Sequence, residues 1–183
     1  MAQTALGIKG GLNLSGVRTD YQLVLENKSK PGWQAGFFSK SLNEGWGYWA
    51  EAYINALGST QEFGDELQKN SIGHLSVPLA MQYSLPTGIS LYLGGYASMR
   101  LWASRKSTKL GVGDFESNIK ENIAFMDYGP WAGVSFSYGK FSFDLRYLYG
   151  IANINTNSQL NIRANNLSGQ LSIGYFLKRV NQR

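Results

Sequence analysis

Residues Leu91–Ala103 read LYLGGYASMRLWA, an almost entirely apolar, small or aromatic stretch that carries one arginine, Arg100. A core strand of a soluble protein rarely buries such a charge, and this alternation of side chains does not suit a membrane-spanning helix. A strand that has one face in lipid and the other in a polar interior accommodates both features. The stretch therefore predicts one strand of a membrane barrel.

The same alternation recurs along the chain and predicts eight strands, at residues 5–16, 33–41, 47–58, 72–84, 89–102, 127–138, 141–151 and 166–177. Each has about the 9–11 residues that a tilted strand needs to cross a bilayer. We expect a single domain over residues 1–183: an all-β, eight-stranded antiparallel up-and-down transmembrane β-barrel with a filled polar lumen. Trp102 shares the parity of Arg100, so the fifth strand is expected to end there.

Charged residues within the predicted strands all fall on the polar face. A lysine or arginine on the lipid side would cost about 2–4 kcal/mol at mid-depth. We therefore expect a structural ion-pair network in the lumen, in which Arg100 pairs with Glu51 or Asp144; the alternative is a proton or ion relay. The predicted members are Lys9, Glu51, Arg100, Asp144 and Arg146.

The connections between predicted strands alternate between long and short, as in bacterial outer-membrane barrels. The long ones are 17–32, 59–70, 104–126 and 153–166, and the short ones include the Gly139–Lys140 turn. By this pattern the short turns and both termini are periplasmic, which implies a signal peptide that has been removed. Within the third long connection, FESNIKENIAFM is compatible with a short amphipathic helix.

Aromatic residues with lipid-facing parity cluster at the two ends of the predicted strands. Tyr and Trp favour the lipid–water boundaries, so the pattern predicts two aromatic belts. The belt at the short-turn end comprises Tyr48, Tyr83, Tyr138, Phe141 and Tyr175, and the belt at the long-loop end comprises Trp33, Tyr128, Tyr147 and Tyr149.

Composition limits the possible partners and cofactors. The net charge is +5, but the lysines and arginines are scattered, so a nucleic-acid surface is not predicted. With no cysteine and one histidine, neither a metal site nor another cofactor is expected. Absence of an apolar run of about 18 residues argues against a membrane-spanning helix. The expected partner is outer-membrane lipid, with another envelope protein as an open alternative.

Several segments resemble the Bacteroidetes outer-membrane β-barrel domain family, the PorT-like proteins. GIKGGLNLSG (Gly7–Gly16) resembles the opening strand of the family, HLSVPLAMQYSL (His74–Leu85) its proline-containing fourth strand, and LYLGGYASM (Leu91–Met99) its fifth. RYLYGIANI (Arg146–Ile154) and LSIGYFL (Leu171–Leu177) are similar to the seventh and closing strands. The resemblance implies an eight-stranded barrel in the outer membrane and no common activity.

Three functions remain open from the sequence. The first is a non-enzymatic barrel whose outer loops make surface contacts or which acts as a subunit of an envelope complex. The second is a lipid-modifying enzyme that uses His74, the single histidine, with Ser76 on the same face. A soluble lipocalin-like carrier is the third. We favour the first, and expect His74 and Ser76 to form a polar cluster in the lumen without catalytic residues.

Overall fold

Eight long antiparallel strands close into one barrel in the computed structural model, which describes residues 2–19, 28–63, 66–109, 113–118, 123–153 and 164–182. The described residues form nine strands in all. They are β1 (Ala2–Thr19), β2 (Lys28–Ser41), β3 (Gly45–Phe63), β4 (Glu66–Ser84), β5 (Ile89–Lys109), β6 (Gly113–Asn118), β7 (Met126–Tyr138), β8 (Phe141–Tyr149) and β9 (Ala164–Gln182).

Neighbouring strands follow chain order around the barrel, and the terminal strands β1 and β9 pair with each other. The remaining seam is sealed by β4 and β5. Strand β6 pairs with the far end of β5, beyond the point where β5 leaves β7, and is an addition to the eight-stranded barrel. The predicted eight-stranded antiparallel architecture is confirmed. No helix in the described part of the chain is long and apolar enough to cross a membrane.

The short turns join the strands at one end of the barrel, and glycines allow their tight geometry. Gly45, Gly88 and Gly139 have positive φ values of 83°, 84° and 56°, which side-chain-bearing residues rarely adopt. Gly139–Lys140 forms a two-residue hairpin turn between β7 and β8. We call this the short-turn end and the opposite end the long-loop end.

Most aliphatic side chains point outward along the strands, whereas polar and charged side chains and several aromatic rings point inward. Leu91, Leu93 and Met99 are exposed by 55%, 65% and 38%, whereas Glu51 and Arg146 are only 5% and 2% exposed. On β8 exposed and buried residues alternate almost without exception. This arrangement is the reverse of a soluble barrel that carries an apolar ligand, so the interior does not fit the lipocalin-like alternative.

Several strands are longer than the sequence pattern predicts. The connection expected at residues 59–70 is instead occupied by the end of β3 and the start of β4, which stay paired as far as Phe63 and Glu66. Within the predicted loop at residues 104–126, residues 104–109 continue β5 and Gly113–Asn118 form β6. Beyond the apolar band both faces of a strand carry polar residues, so alternation no longer marks it. Phe115–Asn118, expected within a short helix, belong to β6; residues 119–122 of that segment lie outside the described residues.

A β-bulge explains why Trp102 does not fit the parity of its strand. His74 pairs with Arg100 and Gly73 pairs with Trp102, so β5 has one extra residue at Leu101. Such an insertion reverses which face the following residues occupy. Trp102 thereby lies across Gly73, where a Cβ atom would overlap the indole ring. The expectation that the strand ends at Trp102 is wrong, since β5 continues to Lys109.

Candidate functional site

An ion cluster spans the middle of the lumen. Glu51 on β3 and Arg146 on β8 lie on diametrically opposite strands, and their side chains meet through Nη1–Oε2 and Nη2–Oε1 contacts of 2.6 and 2.8 Å. Arg146 Nε also donates to Asp144 Oδ1 at 2.6 Å. Lys9 Nζ donates to both Glu51 oxygens, at 3.0 and 3.1 Å, and lies 3.7 Å from Asp144 Oδ1. Two cations and two carboxylates therefore neutralise each other inside the barrel.

Aromatic rings enclose this ion cluster. Trp49 and Tyr53 lie two residues to either side of Glu51, so all three side chains point into the lumen. The Arg146 guanidinium carbon is 4.9 Å from the Trp131 ring centre. The Tyr92 hydroxyl donates a hydrogen bond to Asp144. The Tyr92 ring packs on both tryptophans, with its centre 4.8 Å from that of Trp49 and 4.7 Å from that of Trp131. Rings of low polarity around the charges lower the local dielectric constant, which strengthens the ion pairs.

Lys40 forms a second contact across the lumen, nearer the short-turn end. Its Nζ donates to Ser135 Oγ and Ser137 Oγ, at 3.2 and 3.0 Å, on the strand opposite β2. The same ammonium lies 4.4 Å from the Trp49 ring centre. The polar-face parity of Lys40 is visible in the sequence, but its serine and indole partners come from strands remote along the chain.

Arg100 does not belong to the ion cluster, contrary to the expected pairing with Glu51 or Asp144. The register sets Arg100 opposite His74, whereas Glu51 lies level with Pro78, four residues further along β4. The Arg100 guanidinium donates to the Ile123 carbonyl, and its backbone N–H donates to Phe125 O at 2.8 Å. Arg100 therefore ties the chain that follows β6 to the barrel wall.

His74 and Ser76 are both buried in the lumen wall, but no hydrogen bond joins them. The Ser76 hydroxyl instead contacts Ser98 Oγ at 2.7 Å and Asn55 Oδ1 at 3.4 Å. Among the described residues, His74 Nδ1 has no hydrogen-bond partner. A nucleophile needs a base within hydrogen-bond reach, oriented by a third group, and within the described part of the chain this pair shows neither relationship.

The lumen between the described residues is nearly filled. Two cavities within it have volumes of about 10 Å³ each, room for roughly one water molecule. A cluster of Ala5, Phe38 and Phe176 packs across the short-turn end. Among the described residues, no three histidine or carboxylate side chains come together as metal ligands.

The residues assigned to the two aromatic belts lie at the barrel surface. Those at the short-turn end are exposed, among them Tyr138 at 74%. At the long-loop end Trp33, Tyr128 and Tyr147 are exposed and Tyr149 is half-buried. The outward side chains between the two sets are predominantly apolar, which delimits a band around the barrel.

Basic side chains gather beyond this band at the long-loop end. Lys30 Nζ donates to the Asn70 carbonyl at 3.0 Å, and Arg105 Nε donates to Asn70 Oδ1 at 2.9 Å. Lys69 is exposed on the adjacent outer face. Burial and the neighbouring Lys69 charge lower the pKa of the Lys30 ammonium. We call Lys30, Lys69 and Arg105 the basic rim.

Known proteins share features of this sequence and of this fold. The family model for the outer membrane protein beta-barrel domain matches residues 1–156. Neisserial surface protein A superposes with a TM-score of 0.57 at 11% identity, over 94% of this chain and 97% of its own. The attachment invasion locus protein Ail of Yersinia pestis, solved with the heparin analogue sucrose octasulfate, superposes with a TM-score of 0.51 at 20% identity, over 98% and 99%. No curated protein sequence matches this chain.

Proposed function

Since this chain belongs to the outer membrane protein beta-barrel domain family, we propose that it is a non-enzymatic surface barrel whose long-loop end makes contacts outside the cell. The observation that carries this proposal is the extension of β3, β4 and β5 beyond the apolar band, with β6 added at the edge. Paired strands hold side chains in fixed positions, which a mobile loop of the same length does not do.

The filled lumen supports a contact role over transport or catalysis. An eight-stranded barrel has space for side chains, and here the cross-lumen ion cluster and its rings occupy that space. We propose that this cluster is structural, and that His74 and Ser76 belong to the same packed interior. Polar groups that are paired across a barrel hold its opposite walls together, so the outer strands have a rigid base.

The orientation is directly testable because the chain contains no native cysteine. Ser117 on β6 is exposed at the long-loop end, and Lys140 is exposed in a short turn. Intact cells that carry Ser117→Cys are expected to react with a membrane-impermeant maleimide, whereas Lys140→Cys reacts only after lysis. The reverse labelling pattern would overturn the proposed orientation.

The basic rim favours an anionic contact partner. Ail binds a polysulfated sugar, and we propose the same chemical class of ligand for this chain, since Lys30, Lys69 and Arg105 present three positive charges at one end. In lipid nanodiscs, replacing all three with glutamine is expected to weaken sucrose octasulfate binding at least tenfold. Three glutamines at Lys140, Lys178 and Arg179, exposed at the other end, are the matched control.

Binding by the basic rim is expected to weaken as salt is raised, since exposed charges are screened. An anion bound between Lys30 and Lys69 would also restore the lowered pKa of Lys30 toward its usual range. An equal loss of binding in the two triple variants would show that binding depends on net charge alone, which would contradict a site at the basic rim.

We also propose that the chain belongs to the PorT-like branch of the family, a finer placement supported by the strand motifs given above.

A further inference from the structure

A groove runs along the outward face of β8, β9 and β1 toward the long-loop end. Gly169 on β9 pairs with Tyr147 on one side and with Leu14 on the other. A glycine flanked by two large side chains leaves a notch between them. A Cβ atom at Gly169 would meet nothing within 4 Å, so the notch is open to the outside.

The groove continues beyond this notch and ends at a cation. Leu167 and Gly16 form the next cross-strand pair, and Arg18 follows on the same exposed face of β1. Together with Ser29, Ser168 and the residues of the notch they line an open groove of about 460 Å³. An apolar channel with a guanidinium at one end matches an amphipathic molecule with an anionic head.

The position of the groove selects its occupant. On the side of the short turns it borders the outward leucines of the apolar band, with Leu12 and Leu171 in the next cross-strand pair. Tyr147 belongs to the set of aromatics at the long-loop boundary. Gly169 pairs with Tyr147, so the notch lies at the outer edge of the hydrocarbon. Arg18 lies further toward the long-loop end, at headgroup level, where an arginine binds phosphate bidentately.

We propose that this groove binds a phosphate-bearing membrane lipid, with one acyl chain over Gly169 and the phosphate on Arg18. The site goes beyond the proposed surface contacts and depends only on placement in the membrane. A second outward groove, of about 300 Å³, is lined by Ile89, Val134, Phe136 and Phe143 with no cation among its described lining. This second groove offers an apolar surface for an acyl chain but no cation for a phosphate, so it is a comparison for the first groove within the same molecule.

Native mass spectrometry of the purified barrel in a non-ionic detergent tests the proposal. The probes are dimyristoyl phosphatidic acid and dimyristoylglycerol, which share acyl chains and differ by the phosphate. Wild type is expected to retain the phosphatidic acid about tenfold better, as a charge-assisted bond to phosphate allows. Arg18→Gln is expected to abolish that preference, and Arg18→Lys to keep most of it. Lys106→Gln removes one positive charge at an exposed position of β5 at the same end, outside both the groove and the basic rim, and is expected to change nothing.

Filling the notch tests the chain-binding part of the groove. Gly169→Leu is expected to reduce retention of both lipids at least fivefold, whereas Gly95→Leu, at an outward glycine on β5, leaves both unchanged. A difference in gel migration before and after boiling verifies that each variant is folded, and Gly169→Ala replaces the leucine variant if that one does not fold. Equal retention of the two lipids by wild type overturns the proposal, as do matching results for Arg18→Gln and Lys106→Gln or for the two glycine variants.

Discussion

Glu51 and Arg146 lie on opposite walls of the barrel and meet in a bidentate ion pair that is fully enclosed. Their strands are separated by three others in either direction around the wall, so the pair braces the barrel across its diameter. Lys9 and Asp144 complete the charge balance. Removing one member leaves the rest buried without compensation, which is the costly case for interior charges.

Arg146→Met is therefore expected to destabilise the barrel by about 3–5 kcal/mol, because it leaves the Glu51 carboxylate buried with a weaker partner set. Urea unfolding from lipid vesicles, followed by tryptophan fluorescence, measures this change. The double variant Arg146→Met with Glu51→Leu is expected to recover part of the loss, and Arg179→Met, at an exposed arginine, to cost little. A cost below about 1 kcal/mol for Arg146→Met would show that the pair does not brace the barrel.

The outward placement of Leu93 predicts a strong penalty for charge at that position. Leu93→Arg is expected to cost about 2–4 kcal/mol, since Leu93 is 65% exposed on the outward face that lipid covers. Ser117→Arg, at an exposed position beyond the apolar band, is the control and is expected to be nearly neutral. The same unfolding assay in vesicles compares them, and equal costs would argue that Leu93 does not face lipid.

The bulge at Leu101 predicts a coupled pair of sites. Gly73→Ala is expected to destabilise the barrel by about 1–3 kcal/mol, because the new methyl group overlaps the Trp102 ring. In a Trp102→Ala background the same substitution is expected to cost much less. A double-mutant cycle measures the coupling between the two positions. Additive costs would mean that the ring does not occupy the space above Gly73.

The arrangement around His74 predicts no lipid chemistry. Cells that express the wild type or His74→Ala are expected to show the same lipid A composition, since the Ser76 hydroxyl bonds to Ser98 and Asn55 instead of His74. Mass spectrometry of extracted lipid A checks this, with cells that lack the protein as the reference. A modification found with wild type and missing in His74→Ala would establish the enzymatic alternative.

The packed interior predicts that the barrel conducts no steady ion current. In planar bilayers wild type is expected to stay silent, because the two lumen cavities hold about one water molecule each. Replacing Trp49 and Trp131 with alanine removes the rings around the ion cluster and is the variant most suited to open a path. A stable conductance in wild type would contradict a filled lumen.

Much of the interior was predictable because strand residues alternate strictly between two faces. That alternation assigned Lys9, Glu51, Asp144 and Arg146 to one compartment, where opposite charges are expected to pair. It failed for Arg100, since distance along the barrel axis depends on strand register and not on parity. The aromatic rings around the cluster, such as Trp131, had the correct parity but no sequence signal that linked them to a particular charge.

The amino-acid sequence by itself determined which side of each strand faces lipid, because a charge turned into hydrocarbon costs more than the fold can readily sustain. It also marked the short turns, which depend on local backbone geometry. Only the tertiary structure decided which side chains meet across the lumen, where the bulge reverses β5, and how far β3–β5 extend past the membrane. Those features depend on closure of the barrel and on strand register, both of which are set by contacts between residues far apart in the chain. Outside the lipid, the strands carry no one-sided apolar pattern that would reveal these contacts in the sequence.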